Sequence, residues 1–228
     1  MMKKYCYAFA AVTLLFTACS KDDDNVTPEN PSAIASSRLD FVEVSGSAHG
    51  DHFHDLAEKT GAKDSTAIVF NSNGEAQDGH LHLDPHKVYR IQFRQFNSAG
   101  QELQQQYLTS KAVADSFKVF LSGGNLVLNP ATGTAENGAL FQPREQAYGD
   151  GTAVNGKYET TGLLAYFTLG EANSSVEADM SYVVRKFNDA TTKATIERTD
   201  WNYTDYATRY AGTDVVKLTF ELHAEDHE

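Results

Sequence analysis

From residue 36 onward, apolar and polar positions along the chain alternate with period two and turn residues recur at short intervals. In the stretch 88–96, Tyr89, Ile91 and Phe93 share one face while Arg90, Gln92 and Arg94 share the other, the mark of a sheet wet on one side. In the last such stretch, Val216, Leu218, Phe220 and Leu222 alternate with Lys217, Thr219, Glu221 and His223. The same reading predicts strands at "RLDFVEV", "TAIVFN", "HLHL", "QELQQQYL", "SFKVFLS", "NLVLN", "GLLAYFTL", "ADMSYVVRKF" and "KATIER". Glycine and asparagine fill the joints "NSNG", "NSAG" and "SGGN". The clearest hairpin turns through Asn97–Gly100 and returns along 101–108. "DYATRYAG" reads as a short helix.

Many half-buried strands with few helices predict an all-β body, an antiparallel β-sandwich of immunoglobulin-like type with long loops. The joint from Asn129 to Gly162 reads as a loop-rich insertion in one domain.

The first residues follow a different pattern. "MMKKYCYAFAAVTLLFTACS" has a basic start at Lys3 and Lys4, an apolar run from Tyr5 to Phe16 and small residues before Cys19, as a secretory signal has. Phe16-Thr17-Ala18-Cys19 resembles a bacterial lipobox, and the acidic "SKDDDN" after it resembles the export signal of Bacteroidetes surface lipoproteins. That resemblance implies lipidation at Cys19 and anchoring on the outer face of the outer membrane. The expected organisation is a signal over 1–18, an acidic tether over 19–35 and a β-sandwich domain over 36–228. Cys6 falls in the removed segment and Cys19 is acylated, so no disulfide is expected. Loss of Lys3 and Lys4 takes the net charge from −12 to −14, which disfavours nucleic acid and suits cations.

All eight histidines fall in three places: "HGDHFHD" at 49–55, "DGHLHLDPH" at 78–86 and the closing "ELHAEDHE". Alternation in "HLHL" sends Leu81 and Leu83 to the core and His80 with His82 to the outer face, about 7 Å apart at their α-carbons. His52 and His54 have the same spacing. A His-x-His strand supplies half of a four-ligand shell, so the expectation is that His52 and His54 fold over His80 and His82 to complete it. His49 and His86 serve as alternates, and Asp51, Asp55, Asp78 and Asp84 as outer acceptors that orient the rings; His223 joins the site only where a terminal strand carries it beside the first two clusters, the other reading of "AEDHE" being a frayed acidic tail. Glycines 46, 50 and 79 supply loop freedom. Zinc is the first expectation, with copper and nickel as alternatives for an all-imidazole site. This histidine content resembles that of lipoproteins associated with TonB-dependent receptors, which implies a TonB-dependent outer-membrane receptor as partner.

Trp201, Tyr203, Tyr206 and Tyr210 form either packing under a long loop or an exposed platform for sugars or a partner protein. The latter would make the chain a metal-independent glycan-binding or adhesion module. Neither H-E-x-x-H nor G-x-S-x-G nor a phosphate-binding glycine loop is present, so no enzyme is expected.

Overall fold

The computed structural model describes residues 33–61 and 63–225. Residues 1–32, where the signal, Cys19 and most of the tether are expected, together with His227 and the side chain of Asp78, lie outside the described residues. Ten strands form in chain order: β1 Ile34–His49, β2 His52–Glu58, β3 Ser65–Phe70, β4 Glu75–Leu83, β5 Val88–Asn97, β6 Phe117–Gly123, β7 Leu140–Pro143, β8 Leu164–Thr168, β9 Glu177–Phe187 and β10 Gly212–Ala224. Two short helices, α1 Lys111–Ala114 and α2 Tyr206–Arg209, and four 3-10 turns lie between them.

The strands pair as one mixed sheet in the order β6-β9-β10-β4-β3-β1-β5-β8-β7, with β2 added alongside β1. The sheet rolls into a nearly closed, barrel-like body. The β-rich expectation is met, but the pairing is continuous and the contact between β4 and β10 is parallel, where an antiparallel arrangement was expected. Residues 129–162 belong to the same compact unit as the strands around them.

Alternation decides which side faces inward. Leu39 and Phe41 of β1, Leu81 and Leu83 of β4, Ile91 and Phe93 of β5 and Leu218, Phe220 and Leu222 of β10 are all buried in one core. Phe93 stacks on Tyr182 of β9 with ring centroids 5.3 Å apart, and Phe70 meets Phe220 edge-on at 6.1 Å. Each such side chain contributes about 1.5–3 kcal/mol through burial, so these contacts hold the two flanks of the rolled sheet together.

The turn before β4 sets its neighbour. Gly74 has φ +82°, and a Cβ there would sit 2.0 Å from the Lys217 carbonyl oxygen. The bare α-carbon lets the turn approach β10, and Thr219 N–H donates to the Gly74 carbonyl at 2.8 Å. From that contact β4 runs beside β10.

Three expected strands do not form. In 101–108 only Glu102 bridges back to Phe96, after which Gln104–Tyr107 closes a 3-10 turn. There the buried Gln104 side chain accepts from Gln95 N–H at 3.1 Å, replacing a ladder bond. In "NLVLN" only Leu128 bridges, to Ala139, while Asn173 satisfies both the Val127 N–H and its carbonyl. "KATIER" instead overlaps the end of the 3-10 turn Ala190–Thr195 and the start of the turn Arg198–Asn202; Lys193 goes inward, and its ammonium donates to the carbonyls of Ala114 and Glu159 and to Thr161 Oγ1. The helix expected in "DYATRYAG" is α2.

Candidate metal centre

The parallel register of β4 and β10 sets Glu221 beside His80, Leu222 beside Leu81 and His223 beside His82. Because both strands bury the same parity, the leucines go to the core together and the polar partners share the outer face. Three imidazoles and two carboxylates therefore meet. The ring centroids of His80, His82 and His223 lie 4.6, 5.2 and 6.1 Å from one another. His80 Nδ1 is 2.7 Å from Glu221 Oε2, and His82 Nδ1 is 2.9 Å from Glu225 Oε1.

Two ligand groups result: His80, Glu221 and His223, and His82, His223 and Glu225, each with ligand atoms within 4.8 Å of one another. His223 belongs to both. Tetrahedral zinc with bonds of about 2.0–2.1 Å needs its ligand atoms roughly 3.3–3.4 Å apart. Closure on an ion thus asks for side-chain shifts of about an ångström or more, within the rotamer freedom of His80 and His82, whose side chains are 50% and 43% exposed.

The carboxylates can act in two ways. A glutamate that accepts from Nδ1–H fixes the ring's tautomer and leaves Nε2 for the ion, the carboxylate–histidine–metal arrangement. Alternatively the carboxylate ligates directly. The neighbouring ring of His223, and after it that of His80, holds the exposed Glu221 carboxyl below its usual range, so it is anionic and ready for either role.

His223 Nε2 is buried between two carboxylate oxygens, Glu221 Oε1 at 3.2 Å and Glu177 Oε1 at 3.7 Å, without a well-aligned hydrogen bond to either. Deprotonated, that nitrogen is a ligand atom facing acidic neighbours that favour a cation.

The other histidines are placed elsewhere. β1 turns tightly through Gly50 and Asp51 into β2, so His49 and His52 face each other across the hairpin end. The rings of His49, His52 and His54 lie 4.6–5.7 Å apart in centroid distance, yet they form no ligand group of the kind found on β4 and β10. Among the described residues no ring contact or ligand group joins His52 or His54 to His80 or His82. The structure groups His223, and not the first cluster, with His80 and His82; local hairpin pairing keeps His49, His52 and His54 together.

Asp51 does orient a ring, accepting from His52 Nδ1 at 2.9 Å, and it also pairs with Arg198 at 3.3 Å. Asp55 sits in β2 with φ 53°. Asp84 is buried in the turn between β4 and β5, where it accepts from His86 N–H at 2.8 Å and pairs with Lys87. It serves that turn and not the histidine face, and His86 pairs with Glu171 at 3.0 Å. The outer acceptors of His80 and His82 are instead Glu221 and Glu225, which sequence reasoning missed. Their signal was present in "ELHAE", where alternation puts Glu221, His223 and Glu225 on one face.

Of the four aromatic residues, Trp201 and Tyr206 are buried, in line with the packing alternative. Trp201 is 5% exposed and packs on Phe141 and Phe167, and Tyr206 and Tyr210 stack on Phe120. Tyr203 packs against the same small cluster. No helix among the described residues is long and apolar enough to cross a membrane. Comparison of the chain with protein families, with curated proteins and with solved structures finds no match in any of the three.

Proposed function

We propose that this protein captures a divalent transition metal, zinc foremost, on the outer face of β4 and β10 and releases it to an outer-membrane transporter. The observation that carries this reading is the convergence of His80, His82 and His223 with Glu221 and Glu225 on two hydrogen-bonded strands. Imidazole and carboxylate suit zinc, and the same set accepts copper or nickel. Absence of cysteine ligands and the half-exposure of His80 and His82 favour an exchangeable site over a structural staple. Two overlapping ligand groups that share His223 offer an ion two positions on one face.

The surface setting belongs to the same proposal: a lipid on Cys19, an acidic tether and a neighbouring TonB-dependent receptor. So does the sandwich-like description of the body, supported by Phe93 against Tyr182 and Phe70 against Phe220 across one core. The glycan-binding alternative draws no support from Trp201 and Tyr206, whose rings are buried.

Isothermal titration of the metal-stripped protein with zinc tests the central claim. One saturable zinc site, absent in a His80→Ala, His82→Ala double variant, is the expected result. Equal binding in that variant would overturn it.

A further inference from the structure

A second site lies away from the histidine face, in a cavity of about 600 Å³ bounded by β6, β7, β8 and the 3-10 turn Arg198–Asn202. That size falls within the roughly 300–1,000 Å³ of small-molecule pockets. Its walls combine apolar surface from Val119, Phe120, Leu164 and Trp201 with four cations, Lys118, Arg144, Lys157 and Arg198. The wall also carries three acids, Asp55, Glu145 and Glu197, so how the cations are partnered decides what they mean.

The acids on the same wall are largely engaged. Glu145 is buried and accepts from four consecutive backbone amides, Thr161 at 3.1 Å, Gly162 and Leu163 at 2.6 Å and Leu164 at 3.3 Å. Glu197 is bound by the Lys157 ammonium and by Tyr158 Oη at 2.8 Å. Asp55 is the third acid. Of the cations, Lys157 is therefore matched by Glu197, and Arg198 has Asp51 at 3.3 Å. The Arg144 side chain is exposed and makes no hydrogen bond or ion pair among the described residues.

Lys118 is the most telling. It is 8% exposed, and its ammonium reaches only neutral oxygens, Thr160 O at 2.9 Å and Thr160 Oγ1 at 3.3 Å. Burial pulls its pKa down to about 8, the charge of Arg198 pulls the same way, and Glu145 opposes them. A buried ammonium without a bonded carboxylate, near a second cation, is relieved by an anion.

We propose that this cavity binds a small organic polycarboxylate, with Arg144 and Arg198 gripping its carboxylates at the mouth, Lys118 meeting it inside and the apolar wall packing its carbon frame. Guanidinium forks suit planar carboxylates. An inorganic anion would fill only a small part of a cavity this size. This site uses none of the histidines and does not rest on the metal reading.

Trp201, the chain's single tryptophan, lines the cavity and reports on it. The test titrates the metal-stripped protein with tricarballylate, a tricarboxylate without a chelating hydroxyl, and follows tryptophan fluorescence. A saturable change is expected, weakened by added sodium chloride. The Arg144→Gln, Arg198→Gln double variant should raise the half-saturation concentration about tenfold or more, whereas the His80→Ala, His82→Ala variant should leave it unchanged. Circular dichroism checks that the arginine variant is folded, and the single Arg144→Gln variant, altering an exposed side chain, gives an independent intermediate loss. Absence of a saturable change, saturation by inorganic phosphate alone, or binding undiminished in the folded double variant would each overturn the proposal.

Discussion

Replacing His223 with alanine isolates the one side chain that both ligand groups share. At a free zinc concentration about a hundred times Kd, binding stabilises the folded wild-type chain by about 2.7 kcal/mol. For a body of this size, a kcal/mol moves the melting temperature by roughly 2–4 °C, so zinc should raise it by about 5–11 °C. Loss of a direct ligand should cost at least the 10–100-fold lost when an outer partner is removed. At a hundredfold, the same zinc concentration only equals Kd, and the stabilisation falls to about 0.4 kcal/mol, or roughly 1–2 °C. The metal-free variant should melt within a few degrees of wild type, because the ring lies on the outer face and its loose pairs with Glu221 and Glu177 are each worth about a kcal/mol or less. Differential scanning fluorimetry with and without zinc, at one protein concentration, reads both quantities. An undiminished zinc shift in His223→Ala would refute the reasoning. So would a shift lost only in a His52→Ala, His54→Ala variant, which would move the site to the hairpin between β1 and β2. Protons compete with the ion for imidazole, so the wild-type shift should also shrink as the pH is lowered.

Three further predictions concern the scaffold. Glu145→Gln puts an amide where four backbone N–H groups converge on a carboxylate, and should destabilise by about 2–4 kcal/mol in urea unfolding; a loss below the error of the measurement would show that those amides have other partners. Lys193 is buried, and burial, then the Lys118 charge, bring its pKa down to about 7. The unfolded chain therefore holds that proton up to the ordinary lysine range while the folded one gives it up near neutrality, so stability should rise between pH 7 and about 9 by up to about 1.4 kcal/mol per unit for this group. Lys193→Met should reduce that rise, most of all between pH 7 and 8 where the lowered Lys118 contributes least, and an unchanged slope would contradict the assignment. Trp201→Ala should cost about 3–5 kcal/mol as a core truncation, and a variant as stable as wild type would return Trp201 to a surface role.

Much of the body was legible along the chain. Period-two alternation is local, and it placed Leu81, Ile91, Phe93, Leu218, Phe220 and Leu222 in the core and His80, His82 and His223 on the other side. The strands that failed to appear share a cause: the buried polar side chains of Gln104, Asn173 and Lys193 bond backbone of other segments, and a pattern of apolar letters does not record such bonds. The outer partners were misplaced for a related reason, since Asp84 is near His82 in sequence but is spent on the turn that follows it.

What the sequence alone determined is the parity of each strand, because a side chain's face follows from its neighbours two residues away. Which strand lies beside which was decided only by the tertiary structure. The parallel pairing of β4 with β10, admitted by the bare α-carbon of Gly74, brings residues 80–82 to residues 221–225 across some 140 positions of chain. The hairpin at Gly50 keeps the first histidine cluster to itself. Ligand atoms must sit within a few ångströms of a shared ion, and that distance is fixed by sheet order and register, quantities set by packing of the whole chain.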